Sequence, residues 1–143
     1  MNGKNNTEPE FRFQPNDYTL KAGLRLIEAS AGTGKTFALA HLVLRLITEG
    51  SYPLKELLVV TFTDAASTEL RSRIGTRIEG ALKGLEDLRK GVYNESPDAV
   101  LHQWLQKHRD NNAQRIKWES RLLEALEDLD RSDITTIHGF CMR

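Results

Sequence analysis

The stretch "ASAGTGKT" (29–36) decides the expected fold, because it combines small residues with a lysine and a hydroxyl. Small residues let backbone amides approach phosphate oxygens, so Gly32, Thr33 and Gly34 are expected to form a concave turn. Lys35 is then expected to reach the β- and γ-phosphates of a nucleotide, and Thr36 to ligate Mg²⁺. The usual pattern begins with Gly where this chain has Ala29, a departure of one methyl group. The predicted nucleotide site comprises Ala29, Ser30, Ala31, Gly32, Thr33, Gly34, Lys35 and Thr36.

The segments around this loop predict strands and helices in alternation. "LRLIEA" (24–29) has the length and apolar content of a strand, and "TFALAHLVLRLITEG" (36–50) has a polar stripe at helical spacing. "ELLVVTF" (56–62) predicts a second, buried strand, followed by a helix capped at Thr63 or Asp64. Strand, loop, helix, strand and helix in this order favour an α/β fold with a parallel sheet.

The second half of the chain is predicted to be mostly helical. Ser96 with Pro97 is typical of a helix start, and residues 112–131 place their apolar side chains on one helical face. The other faces of that helix are acidic, which disfavours contact with phosphates. "DITTIH" (133–138) predicts a third strand. The expected organisation is a loosely held lead-in over 1–19, a phosphate-loop part over 20–78, a helical insert over 79–132, and a return to the first part over 133–143.

Bulk composition limits the class of protein. The chain has 143 residues, with 20 basic and 20 acidic side chains, so overall charge is no argument for nucleic-acid binding. The single cysteine, Cys141, fits a reducing compartment, and no apolar run approaches the roughly 18 residues of a membrane span. The start of the chain lacks the apolar stretch of a secretory signal. These features predict a soluble cytoplasmic protein without a membrane partner.

Three motifs in order carry a resemblance to a known family. "LIEASAGTGKTFALA" (26–40), "VVTFTDAASTELRSRI" (59–74) and "TTIHGFCMR" (135–143) together resemble the superfamily-one DNA helicases of the UvrD/Rep type, and most closely the RecB family, the beta subunits of exodeoxyribonuclease V. The resemblance is weakest over 79–130. It implies a P-loop NTPase (RecA-like) sheet with a helical insert, ATP and Mg²⁺ as cofactors, and DNA and the other exodeoxyribonuclease V subunits as partners.

The resemblance also implies DNA contacts. Phe62 takes the place of an aromatic residue that contacts single-stranded DNA, with Thr61 and Thr63 beside it. A ring can stack on any base, which suits a motor that moves along a strand. Thr136 and His138 are the implied contacts of the last motif. From the residues alone, Phe62 could equally fill the core after "LLVV", and His138 could be an ordinary residue at a strand end.

Several weaker candidates accompany these. Arg71, Arg73 and Arg77 could steer DNA, or could form a solvated helix face. Gln14 lies upstream of Lys35, where related helicases have an adenine-reading glutamine, but its surrounding pattern is missing. His138 with Cys141 is a poor metal or nucleophile pair, since neither residue has a third partner nearby.

The sequence lacks an apolar run ending in the acidic pair that holds Mg²⁺ for hydrolysis. Asp64 falls past its strand, and Glu28 comes too early. We therefore expect the chain to be the N-terminal, ATP-binding part of a larger helicase–nuclease subunit, without catalytic competence of its own. The alternatives are a non-catalytic interaction module or gene remnant, in which the insert acts, and a small P-loop kinase.

Overall fold

The computed structural model describes residues 13–28, 34–92 and 97–143. Within these ranges the chain is rich in helix, with two short strands and two 3-10 turns at Leu54–Glu56 and Leu129–Arg131. The helices and strands, in chain order, are α1 (Lys35–Thr48), β1 (Leu58–Thr61), α2 (Asp64–Arg89), α3 (Ala99–Lys107), α4 (Asn112–Asp128), β2 (Asp133–Thr136) and α5 (Ile137–Cys141). None of these helices is long and apolar enough to cross a bilayer.

The two strands of the described residues pair in parallel, with Leu58 opposite Asp133 and Thr61 opposite Thr136. Parallel strands were predicted at both places, which β1 and β2 confirm, but β2 ends at Thr136, and Ile137 and His138 of the strand predicted over 133–138 begin α5. The first strand is less buried than expected, because Leu58 is 47% and Val60 is 40% exposed. Leu58 and Val60 lie on one face of β1, and that face is partly exposed to solvent.

Residues 24–28 form no strand, so the predicted strand at 24–29 is wrong for its described part; residue 29 lies outside the described residues. Leu24 and Leu26 are 100% and 83% exposed. A strand is held by hydrogen bonds to a neighbour, and the described sheet pairs only β1 with β2. Residues 24–28 have no neighbouring strand among the described residues, so no such hydrogen bonds hold them in a strand.

The core lies between α1, α2 and α4, with α3 closing one side. The long helix α2 is central, since its buried positions Leu70, Ile74 and Ile78 repeat every four residues and face one side. The rest of the cluster comes from α2 itself, the other helices, the turn at Leu54–Glu56 and β2: Ala40, Val43, Leu44, Ile47, Leu54, Ala81, Leu85, Leu101, Trp104, Leu105, Trp118, Leu122, Ala125 and Ile134. The helical periodicity predicted for α2 and α4 is therefore confirmed.

Side chains cap most helix starts. Thr63 caps α2 and Asn111 caps α4, each accepting a hydrogen bond from a backbone N–H three residues on. Helix α3 starts at Ala99 with Asp98 as its cap, slightly later than the start predicted from Pro97 and from Ser96, which lies outside the described residues. A carboxylate accepts from an amide, which the proline ring cannot do, so the cap sets the boundary.

The lead-in is packed where it is described. Pro15 and Asn16 are buried, and Arg45 of α1 donates hydrogen bonds to the carbonyl oxygens of Pro15 and Tyr18 at 2.6 and 2.7 Å. Residues 13–19 therefore differ from the loose segment that the sequence predicts. A polar side chain on α1 finds its acceptors in this segment, which removes the need for solvent on that side of the helix.

Candidate nucleotide and nucleic-acid site

Helix α1 starts differently from the other four α-helices of the described residues. Its N-cap is Gly34, which has φ +85° in the left-handed region and provides no side-chain cap, whereas α2 to α5 each have one. A side chain at Gly34 would be strained in that conformation. No acidic residue lies in the first turn of α1. The helix therefore presents backbone amides that no carboxylate or hydroxyl of its own cap occupies.

Two predicted nucleotide-binding side chains lie at this helix start. Lys35 is exposed and Thr36 is partly buried, as residues 1 and 2 of α1. An exposed ammonium and a hydroxyl beside free amides suit a polyphosphate and its cation. The other predicted loop residues, Ala29, Ser30, Ala31, Gly32 and Thr33, lie outside the described residues.

The predicted DNA-contacting residues meet at one edge of the sheet. Because Thr61 pairs with Thr136 in a parallel register, β1 and β2 end side by side. Phe62 follows one strand and His138 lies just after the other, so both project from the same edge. Residues that are 76 positions apart in the chain thus become neighbours.

Phe62 is 90% exposed. The alternative that its ring fills the core is therefore wrong. The residue lies between the end of β1 and the cap of α2, where Thr63 takes an extended conformation and accepts a hydrogen bond from the Ala66 amide at 3.1 Å. An aromatic ring left in water at a strand end can stack on a flat partner.

The threonine hydroxyls at this edge differ in what they can still offer. The hydroxyl of Thr61 donates to the Thr63 carbonyl oxygen at 3.1 Å and also meets Ser67, so its proton is engaged. Thr63 and Thr136 accept from amides as helix caps, which leaves each hydroxyl proton available to a donor role. Thr136 is only 8% exposed, and Thr63 is exposed. Thr63 is thus the hydroxyl best placed to bond a phosphate.

Apolar side chains that were not singled out from the sequence extend this edge. Phe140 and Ile137 on α5 are both 47% exposed, and Met142 is 75% exposed. Phe140 lies in the same short motif as His138, and its aromatic ring was the signal available in the sequence. His138 itself is exposed on α5.

The three arginines of α2 do not form a surface cluster. Arg71 donates to Ser132 Oγ at 3.0 Å and to the Ile134 carbonyl at 2.9 Å, which ties β2 to α2. Arg77 is buried, and only Arg73 is exposed, paired with Glu69 at 3.3 Å. The predicted DNA-steering cluster is therefore wrong for Arg71 and Arg77, because each guanidinium finds acceptors within the fold.

Several titratable side chains on and next to α1 are buried or half-buried. Burial, followed by the positive charges of Arg77 and Arg45, lowers the pKa of His41 from 6.5 to about 4, against the opposing charges of Asp98 and Glu49. Burial alone would raise the pKa of Glu49, but hydrogen bonds from Arg45 and Trp104 outweigh it and lower that pKa. The polar stripe of α1 is thus an internal network, with His41 neutral and Glu49 charged near neutral pH.

The remaining candidate residues from the sequence form no binding or metal site among the described residues. Gln14 is exposed, and its carbonyl accepts from the Asp17 amide at 3.1 Å. Asp64 and Glu28 are exposed. No group of three or more His, Cys, Asp or Glu side chains is placed to hold a metal ion in the described ranges, and His138 and Cys141 are both exposed.

Comparison with known proteins identifies the family. Residues 12–143 match the UvrD/REP helicase N-terminal domain. Relatives include the RecBCD enzyme subunit RecB of Escherichia coli K12 (44% identity over 129 residues, 85% of this chain and 10% of the relative), that of Mycobacterium tuberculosis H37Rv (43% over 116 residues, 81% and 10%) and that of Chlamydia pneumoniae (39% over 120 residues, 83% and 11%). The chain thus spans about a tenth of the length of these relatives. It belongs to the UvrD/REP helicase family, within the N-terminal domain that its RecB-type relatives share.

Proposed function

We propose that this chain forms the ATP- and DNA-binding first part of a RecB-type helicase. The observation that carries the proposal is the match to the UvrD/REP helicase N-terminal domain over residues 12–143. The start of α1 and the edge formed by β1 and β2 support it, since each presents the chemistry that its proposed ligand needs. The finer assignments below rest on that combination.

ATP is proposed to bind at the start of α1. The free amides of the first turn and the exposed Lys35 would hold the phosphates, and the Thr36 hydroxyl would hold Mg²⁺. When bound, the cation would neutralise phosphate charge. The left-handed Gly34 supports this fit, because it turns the chain into the helix without placing a side chain in the way.

Single-stranded DNA is proposed to cross the edge where β1 and β2 end. Phe62 would stack on a base, Thr63 would donate to a phosphate, and His138 would contact the strand from α5. Thr61 and Thr136 would act by shaping this edge, since the hydroxyl proton of Thr61 is already engaged and Thr136 is only 8% exposed. Such contacts tolerate any base sequence.

The activity and partners of the whole subunit extend this proposal. The relatives are named as subunits of the RecBCD enzyme. We therefore propose that this chain serves ATP-dependent DNA unwinding and repair in the cytoplasm, together with subunits of that kind, and that the chain alone does not complete the hydrolytic site.

Nucleotide binding tests the proposal directly. A fluorescent ATP analogue should bind in the presence of Mg²⁺ and lose affinity when Mg²⁺ is chelated. Lys35→Ala should weaken binding at least about tenfold, because a charge-assisted contact contributes roughly 1.5–3 kcal/mol.

Lys55→Ala provides the matched control. Lys55 is another exposed lysine, in the turn Leu54–Glu56 that follows α1, where it pairs with Glu124 at 3.7 Å, and its removal should leave the affinity unchanged. Equal affinities of wild type and Lys35→Ala would contradict the proposed nucleotide site. Turnover that needs a small-molecule acceptor would instead indicate a kinase.

A further inference from the structure

Arg77 joins three helices inside the fold. It lies on α2, and its side chain is 5% exposed. Its guanidinium carbon is 4.3 Å from the centroid of the Phe37 ring on α1, and its Nη1 is 2.6 Å from Oδ2 of Asp98, which precedes α3. A buried guanidinium that stacks on a ring and pairs with a carboxylate has one preferred position.

Both neighbours of Arg77 lie at helix starts. Phe37 is in the first turn of α1, two residues after Lys35. Asp98 is the cap of α3, and its Oδ1 accepts from the Leu101 amide at 3.0 Å while Oδ2 faces Arg77. One carboxylate thus sets the start of α3 and, through Arg77, the ring beside Lys35.

Asn16 provides a second link between α1 and α3. Its side-chain amide donates to the Val100 carbonyl at 2.9 Å and to Gln103 Oε1 at 3.0 Å, both on α3. Its Oδ1 lies 2.7 Å from Nε2 of His41, one turn after Phe37 on α1. The two links are therefore stacked along the same face of α1.

Glu49 provides a third link, at the other end of α1. Its Oε1 accepts from the Trp104 indole N–H at 2.9 Å, and Arg45 donates to both of its carboxylate oxygens at 2.9 Å. Helix α3 is therefore linked to α1 at its start through Arg77, at its middle through Asn16 and at its end through Glu49, by contacts that are at least partly buried. Polar contacts of this kind specify one arrangement, since each partner is costly to leave unpaired.

Loss of the charge on Asp98 would leave Arg77 as a buried cation without that counter-charge. Burial already lowers the pKa of Arg77, and Asp98 opposes that effect. An uncompensated buried charge is destabilising, so the guanidinium would move toward water and away from Phe37. The first turn of α1 would then lose the contact between the Phe37 ring and the Arg77 guanidinium.

We infer that α3, the first helix of the insert, holds the start of α1 in place. Arg77 is the positioning residue, because it connects Asp98 to Phe37 and so fixes the positions of Lys35 and Thr36. We call this set of contacts the brace. The inference rests on the proposed function insofar as Lys35 and Thr36 bind nucleotide. It assigns to the insert a role in setting the phosphate-binding geometry. In this inference Arg77 acts through its contact with Phe37.

Two conservative variants test the brace. Asp98→Asn removes the charge that faces Arg77 but keeps an N-cap residue for α3, and Phe37→Leu removes the ring but keeps an apolar side chain. Each should bind the Mg²⁺-loaded fluorescent ATP analogue roughly tenfold more weakly at a temperature well below its melting point. In the double variant, the loss of binding free energy should be smaller than the sum of the losses in the two single variants, because both substitutions act on the same contact.

Rescue separates positioning from general stability. Arg77→Lys keeps the cation and should retain more affinity than Arg77→Met, even if both unfold at similar urea concentrations. Glu119→Gln is the control, because it removes a carboxylate from another pair between helices, with Arg89 at 3.9 Å, and should leave the affinity unchanged.

Amide hydrogen exchange without nucleotide gives an independent measurement. The Ala38 amide, bonded to the Gly34 carbonyl at 2.9 Å, should exchange faster in Asp98→Asn and Phe37→Leu than in wild type. If wild type shows no Lys35-dependent binding, the proposed function fails and exchange alone decides the brace. If both variants bind as wild type does, or their Ala38 exchange is unchanged, the brace is wrong.

Discussion

Acidification should destabilise this fold through one histidine. His41 is fully buried on α1, with its Nε2 2.7 Å from Oδ1 of Asn16. Burial, then Arg77 and Arg45, lower the pKa of His41 from 6.5 to about 4, while Asp98 and Glu49 act in the opposite direction. Protonation of this ring in the folded state would place a buried cation near the positive charges of Arg77 and Arg45.

The size and sign of the effect follow from that pKa difference. Between about pH 6.5 and about pH 4 the unfolded chain binds a proton that the folded chain does not, so the free energy of unfolding rises with pH in this window. At roughly 1.4 kcal/mol per pKa unit, His41 contributes about 3 kcal/mol. This stability is fully present above pH 6.5 and is lost as the pH falls toward 4.

Urea unfolding followed by tryptophan fluorescence measures this loss. Trp104 and Trp118 are buried and stacked with ring centroids 5.1 Å apart, so unfolding should change their emission. The variant His41→Gln does not titrate and can still bond Asn16. Its stability should fall less than that of wild type between about pH 7 and about pH 4.5, by roughly 3 kcal/mol.

The difference between the two proteins isolates His41. The lowered pKa values of His108 and Glu49 also favour the fold at higher pH, but they are present in both proteins and largely cancel. His102→Gln, a histidine exchange on α3, is the control and should keep the full dependence of wild type. An unchanged pH slope in His41→Gln would refute the argument, and would mean that a water or a shifted Arg77 compensates the imidazolium.

Three further outcomes are expected. Phe62→Ala should change the free energy of unfolding by less than about 0.5 kcal/mol, since the ring is 90% exposed, yet weaken single-stranded DNA binding roughly 5- to 150-fold in fluorescence anisotropy; unchanged DNA affinity would remove Phe62 from the interface. Gly84→Ala should lower the free energy of unfolding in urea by about 1–3 kcal/mol, despite the better helix propensity of Ala, because its methyl group would collide with Leu105. A more stable variant would show that α3 can shift to make room for the methyl group. Trp104→Phe should cost about 1–3 kcal/mol by the same assay, through the lost hydrogen bond to Glu49, and a smaller loss would mean that solvent replaces the indole.

Much of the helical structure was predictable because periodicity is a local property. The four-residue spacing of Leu70, Ile74 and Ile78 predicts the buried face of α2, and Trp118 with Leu122 does the same for α4. The sequence narrowed the cap of α2 to Thr63 or Asp64, since an oxygen-bearing side chain before a helical run can accept from a free amide, and the structure shows that Thr63 is the cap.

Side chains with long reach were not predictable. Charged side chains on a helix are usually exposed, but the acceptors of Arg71 and Arg77 come from residues 98 and 132–134, which only folding brings near. The strand predicted at 24–29 did not form over 24–28, because pairing depends on a neighbouring edge that a local pattern does not contain. The exposure of Phe62 was likewise undecided between core and surface.

The sequence alone determined the helices, the order of the motifs and the resemblance to helicases, since these depend on residues close together in the chain. Only the tertiary structure decided that Thr61 and Thr136 end side by side, that Phe62 stands in water beside them, and that Arg77 links α3 to the start of α1. Those relations join residues that lie up to 75 positions apart, and they form only when the chain folds and its buried polar groups find partners inside the fold.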